Sequence, residues 1–130
     1  MQNFSILVVD DEEDFVETIV SRLKKRDVDA IGVSSGEEAI EHIKQKDFHI
    51  VIMDIKMPGG IDGIEAMRLI KKDHPQTEII LLTGHASVET SIEGMKFGAF
   101  DYVLKPVKLE DLLKKIELAL GKRNQDGLNL

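Results

Sequence analysis

Five short apolar runs alternate with five amphipathic stretches along this chain. The runs are Ile6–Val9, Ala30–Val33, Ile50–Met53, Ile79–Leu82 and Tyr102–Leu104. All but the last are mostly β-branched or leucine, the residues of buried strands. Apolar residues at helical spacing follow each run: Phe15, Val16, Ile19, Val20 and Leu23; Ala39, Ile40 and Ile43; Ile64, Met67 and Ile70; Val88, Ile92 and Met95 from Ser87 on; and Leu109, Leu112, Leu113, Ile116 and Leu120. A strand–helix unit repeated in this way predicts a doubly wound parallel sheet with helices on both faces and right-handed crossovers. Pro58, Pro75 and Pro106 all fall between elements, as proline should. Ser35 with Glu38, and Asp62 with Glu65, read as capping boxes that open the second and third helices. Gly121 is expected to stop the fifth helix. That bounds one domain at residues 1–121, with 122–130 a polar tail or the start of a linker.

Composition narrows the class. At 130 residues, 42% hydrophobic and 32% charged, the chain has the length and make-up of one soluble globular domain. No apolar run approaches the roughly 18–20 residues of a membrane span. The first residues, Met1-Gln2-Asn3-Phe4, lack the basic and apolar regions of a secretory signal. The absence of cysteine excludes disulfides and thiolate metal sites and fits a cytoplasmic protein. A net charge of −7 argues against nucleic-acid binding by this segment.

Function in an open α/β sheet gathers at the carboxyl ends of its strands. The first run ends on Asp10-Asp11, the third on Asp54, the fourth on Thr83-Gly84-His85 and the fifth on Lys105-Pro106. Asp54 closes an unbroken apolar run, and a buried strand should not end on a charge unless that charge is used. Three neighbouring carboxylates repel one another unless a cation neutralises them. Magnesium, or manganese in its place, does this with carboxylates, waters and phosphate oxygens. Lys105 supplies a cation for a phosphoryl oxygen and Thr83 a hydroxyl. The Gly84 N–H belongs to an anion seat at the start of the fourth helix. A carboxylate is a competent nucleophile toward phosphorus, so Asp54 reads as a phosphate acceptor. Glu12, Glu13 and Asp14 read instead as ordinary first-turn acids that cap a helix.

At these residues the chain resembles the receiver domain of two-component response regulators, the CheY-like superfamily. The likeness runs from about Phe4 to Leu120. It rests on Val8-Val9-Asp10-Asp11, on Asp54 followed by Met57-Pro58 and Asp62-Gly63, on Leu82-Thr83-Gly84, and on Gly98-Ala99-Phe100-Asp101-Tyr102 leading to Lys105-Pro106. The resemblance implies a five-stranded parallel sheet in the order 2-1-3-4-5. It implies a phosphoryl group accepted on Asp54 from a sensor histidine kinase or a phosphotransfer protein. Asp11 and Asp54 would bind magnesium directly, Asp10 through water, and Lys56 through its backbone carbonyl. Thr83 and Lys105 would contact the phosphoryl group, and the Lys105–Pro106 bond would be cis. Thr83 and Tyr102 would form a switch that alters the face made by the fourth helix, fifth strand and fifth helix. Lys56 and His85 would rim the pocket and tune how long the acyl phosphate lasts. An attached output domain, such as a transcription regulator, and a phosphorylation-linked homodimer are the implied partners. Self-phosphorylation and slow self-dephosphorylation would be the only chemistry, so the domain is not expected to be an enzyme in the turnover sense.

One departure stands beside the acceptor. Gly59-Gly60-Ile61 joins Met57-Pro58 to Asp62-Gly63, where the family usually has two residues. A bulge that leaves Asp54 in place and displaces the start of the third helix is expected. Two other classes compete. A magnesium phosphohydrolase with an aspartyl-phosphate intermediate usually has a second acid two residues after its nucleophile, and here that position is Lys56. A flavin module on the same fold needs a hydroxyl- and glycine-rich loop after the first strand, and Asp10 to Asp14 would repel its phosphate.

Overall fold

A computed structural model describes the backbone of residues 4–84 and 88–128, and the side chains of these except residues 88 and 123–128. His85, Ala86 and Ser87, with the expected rim role of His85, lie outside the described residues. Five strands, β1 (Ser5–Val9), β2 (Asp29–Val33), β3 (Ile50–Asp54), β4 (Glu78–Thr83) and β5 (Asp101–Leu104), alternate with α1 (Glu13–Lys24), α2 (Gly36–Gln45), α3 (Gly63–Asp73), α4 (Val88–Lys96) and α5 (Leu109–Leu128). The sheet is wholly parallel in the order β2-β1-β3-β4-β5. The chain leaves β1 toward β2 on one side and returns to β3 on the other, so a crevice opens at the carboxyl ends of β1 and β3.

Side chains alternate across each strand. Leu7, Val9, Val51, Met53, Ile79 and Leu81 face one way, onto Ala39, Ile43, Ala66, Met67 and Ile70 of α2 and α3. Ile6, Val8, Ile50, Ile52, Ile80 and Leu82 face the other, onto Ile19 and Leu23 of α1 and Leu112 and Ile116 of α5. Central strands buried on both faces explain why their sequence is a continuous apolar run.

The capping residues act largely as expected. Ser35 Oγ accepts the Glu38 N–H at 3.1 Å and Asp62 Oδ1 accepts the Glu65 N–H at 2.8 Å. Glu38 does not complete the box around α2, because its carboxylate takes the Ser34 hydroxyl at 2.8 Å. Gly121 does not end α5, which runs on to Leu128. Glycine disfavours a helix interior by only about 1 kcal/mol, and no proline follows it.

Candidate functional site

The end of β1 drives two aspartates into the crevice. Asp10 is fully buried; its Oδ1 accepts the Glu12 N–H at 2.9 Å, while Asp11 is exposed at the rim. Asp54, the last residue of β3, is 5% exposed. One carboxylate oxygen from each of Asp10, Asp11 and Asp54 lies within 4.8 Å of the others. Lys105 enters from the end of β5 through a cis Lys105–Pro106 bond. Its Nζ stands 2.9 Å from Asp10 Oδ2, 3.4 Å from Asp54 Oδ1 and 3.2 Å from Glu12 Oε1. Asp10 Oδ2 is buried with this ionic neighbour but, among the described residues, without a hydrogen-bond partner. Thr83 is buried at the end of β4, and its hydroxyl donates to the Gly84 carbonyl at 3.1 Å. Above these groups opens a cavity of about 320 Å³, lined by Asp11, Glu12, Asp54, Lys56, Thr83, Gly84 and Lys105 among others.

One ammonium cannot balance this many acids. Burial, and then the charge of Asp10, push the Asp54 carboxyl up to about 7 against the pull of Lys105, with Asp11 adding to the rise. Burial acts to lower the Lys105 pKa, but the contact with Asp10 and the charges of Asp54 and Asp10 outweigh it and hold the lysine above its ordinary value. The excess negative charge, the all-oxygen donor set and the unsatisfied Asp10 Oδ2 are what a hard divalent cation would relieve. The residues therefore fit a magnesium-type ion.

Asp10, Asp11, Asp54, Thr83, Gly84 and Lys105 are thus brought together at the carboxyl edge of the sheet. Lys56 is exposed and lines the same cavity. Tyr102 does not line it; it is half-buried on β5 and packs against the core cluster that contains Leu81. Glu12 corrects the reading from sequence. Its side chain makes no capping hydrogen bond and instead pairs with Lys105, 93 positions away. Phe15, counted only as a core residue of α1, has its ring centroid 5.7 Å from the Lys105 ammonium. Neither contact leaves a local pattern, since both depend on a distant strand end.

Gly63 fits α3 to the strand. A Cβ on Gly63 would stand 2.1 Å from the Asp54 carbonyl oxygen, and the Gly63 N–H donates to the Ile55 carbonyl at 2.8 Å. The loop before Gly63 is largely exposed. Gly59 takes φ +86°, and the Ile61 N–H donates to Glu37 Oε2 on α2 at 3.1 Å.

A parallel five-stranded sheet with an acidic crevice, a lysine and a buried threonine at its carboxyl edge defines a class of signalling domain. The family model described as response regulator receiver domain matches residues 6–117, and the chain belongs to that family. It is 32% identical to the response regulator protein PilR of Pseudomonas aeruginosa over 127 residues, 98% of this chain and 28% of PilR. It is 33% identical to the transcriptional regulatory protein ZraR of Escherichia coli over 119 residues, 92% of this chain and 27% of ZraR. The chain thus spans about a quarter of the length of these relatives. Among solved structures, a response regulator receiver domain protein of Clostridium thermocellum superposes with TM-score 0.87 at 34% identity, covering 98% of this chain and 99% of that one. NtrX of Brucella abortus gives TM-score 0.91 at 29% identity over 97% of this chain and 29% of its own.

Proposed function

We propose that this receiver domain takes a phosphoryl group onto Asp54 from the phosphohistidine of a sensor kinase or a phosphotransfer protein. The observation that carries the reading is the Asp54 carboxylate itself, buried under an open cavity with Lys105 Nζ at 3.4 Å. A carboxylate oxygen of Asp54 forms the new bond to phosphorus as the bond from phosphorus to the donor imidazole breaks. The imidazole nitrogen leaves with the electron pair and takes up a proton. Lys105 neutralises charge on the phosphoryl oxygens, and the Gly84 N–H donates to one of them. Asp10, Asp11, Asp54 and the Lys56 carbonyl would hold magnesium, which supplies further charge neutralisation when bound.

The Thr83 hydroxyl then exchanges its Gly84 carbonyl acceptor for a phosphoryl oxygen. Tyr102 follows inward, and the face of α4, β5 and α5 changes. The modification adds about −1.5 to −2 charges, and it shifts the equilibrium only so far as the two states bind it differently. Lys56, which lines the cavity, tunes the lifetime of the acyl phosphate. The domain catalyses its own phosphorylation and slow dephosphorylation and no further turnover. Lys56, standing where a phosphohydrolase would carry its second acid, supports this. The domain runs from β1 through α5 and acts on an output segment. The kinship with ZraR, a transcriptional regulatory protein, supports a transcription regulator as that output, and the α4, β5 and α5 face is where the phosphorylated domain would dimerise. No described helix is long and apolar enough to cross a membrane.

The test is label from acetyl phosphate. With magnesium, the wild-type chain should gain one phosphoryl group per molecule and lose it slowly. Asp54→Asn, or EDTA, should abolish uptake. Equal uptake by Asp54→Asn, or the release of many equivalents of phosphate, would refute the reading.

A further inference from the structure

The loop after the acceptor strand is held by another helix. Glu37, in the exposed first turn of α2, accepts the Ile61 N–H at 3.1 Å. Gly60 lies directly against the same carboxylate: a Cβ there would be 2.4 Å from Oε2 and 2.6 Å from Oε1. Ile61 also packs over Gly36, where an added Cβ would stand 2.9 Å from its Cγ1. On its far side the loop runs into Asp62, the cap of α3, and then Gly63, seated on the Asp54 carbonyl. Continuous contact therefore links a surface carboxylate on α2 to the backbone of the acceptor. The same loop begins at Lys56, which lines the cavity mouth.

We propose that Glu37 is a positioning residue for the acyl phosphate: by clamping Gly60 and Ile61 it holds the β3–α3 loop so that Lys56 stays at the cavity mouth and slows the attack of water on the phosphorylated Asp54. The proposal rests on Asp54 being the acceptor. It assigns Glu37 no contact with the phosphoryl group, the metal or the donor. Loss of the clamp should therefore act on hydrolysis, where Lys56 held at the mouth disfavours the orientation of an attacking water, and not on phosphorylation by a small donor, whose phosphoryl group is oriented by Lys105 and Gly84 in the open cavity.

The clamp can be broken from either side. Glu37→Ala removes the acceptor. Gly60→Ala puts a methyl group where the carboxylate lies; the flexible end of Glu37 can swing away, and Gly60 has no positive φ to forbid alanine. Glu37→Gln keeps an oxygen that can accept the Ile61 N–H. Each protein is charged with labelled acetyl phosphate and magnesium, freed of donor, and followed for decay. Glu37→Ala and Gly60→Ala should each lose label about fivefold faster than wild type, the Boltzmann weight of one ordinary hydrogen bond. The initial rate of uptake should be unchanged. Glu37→Gln should decay near the wild-type rate, and the double variant Glu37→Ala/Gly60→Ala no faster than either single one, because both remove one contact. Unchanged decay in Glu37→Ala, equal slowing of uptake, additive effects in the double variant, or failure of glutamine to restore the rate would each overturn the clamp. If the wild-type chain takes up no label, or Asp54→Asn takes up as much, the acceptor assignment fails instead, and the clamp with it.

Discussion

Asp54 sits almost out of reach of water at the end of β3. Its carboxyl titrates at about 7 in the folded chain, mainly because it is buried and then because Asp10 is charged, against an ordinary 3.8. The folded state therefore binds more protons than the unfolded chain between about pH 4 and 7. Stability without metal falls as pH rises through that window, and the loss is complete above 7. Lys105 adds no slope there, since its raised pKa gives a contribution that stays full until alkaline pH. A tenfold change in proton affinity corresponds to about 1.4 kcal/mol, so the effect is on the order of a few kcal/mol. In EDTA at pH 8, Asp54→Asn should melt several degrees above wild type. The gap should close toward pH 4 and shrink at pH 8 when magnesium is added. A gap independent of pH, read by thermal denaturation, would show that Asp54 carries no such burden.

At the level of the elements, much of the architecture could be read from residue order alone. A strand such as Ile50–Met53, buried on both faces, must be apolar throughout, and an acid at its end must be used or neutralised; Asp54 was legible for that reason. Glu12 was not. An acid ahead of a helix looks the same whether it caps that helix or reaches a lysine brought in by the fifth strand. The end of α5 was not legible either, because a glycine signals a helix stop only when the following chain takes a left-handed turn or meets a proline, and here neither does. Gly121 of α5 and Gly63 of α3 should thus answer alanine in opposite ways. Gly121 lies inside α5 with nothing within 4 Å of an added Cβ, so Gly121→Ala should raise stability by about 0.5–1 kcal/mol. Gly63→Ala drives a methyl group into the Asp54 carbonyl and the Ile55 backbone, should cost about 3 kcal/mol, and should also slow labelling, because relief requires α3 or the acceptor strand to move. Urea titration of both variants distinguishes these outcomes, and a destabilising Gly121→Ala would return the helix end to Gly121.

Across the whole molecule, the sheet carries a buried charge at each edge, and the two are handled differently. At the carboxyl edge the acids outnumber their one lysine, which leaves room for metal and phosphate. At the opposite edge Glu78 opens β4 almost fully buried, with Lys71 Nζ of α3 at 3.7 Å and Lys122 Nζ of α5 at 3.3 Å. Lys71 is the more deeply set, and it also donates to the Pro75 and Thr77 carbonyls at 3.0 and 2.8 Å. Lys122 is half-exposed, so solvent screens its pairing. This second cluster ties α3, β4 and α5 together where no ligand is needed. Lys71→Ala should therefore cost about 3 kcal/mol, since it strands a buried carboxylate, whereas Lys122→Ala should cost about 1 kcal/mol or less. The source of the larger loss can be isolated. If it comes from the stranded charge and not from lost attraction, the double variant Lys71→Met/Glu78→Leu should recover most of it, because an apolar pair of similar size needs no compensation. Urea midpoints at constant m-value measure all three, and a double variant as unstable as Lys71→Ala would mean that the lysine's carbonyl bonds, not its charge, hold this edge.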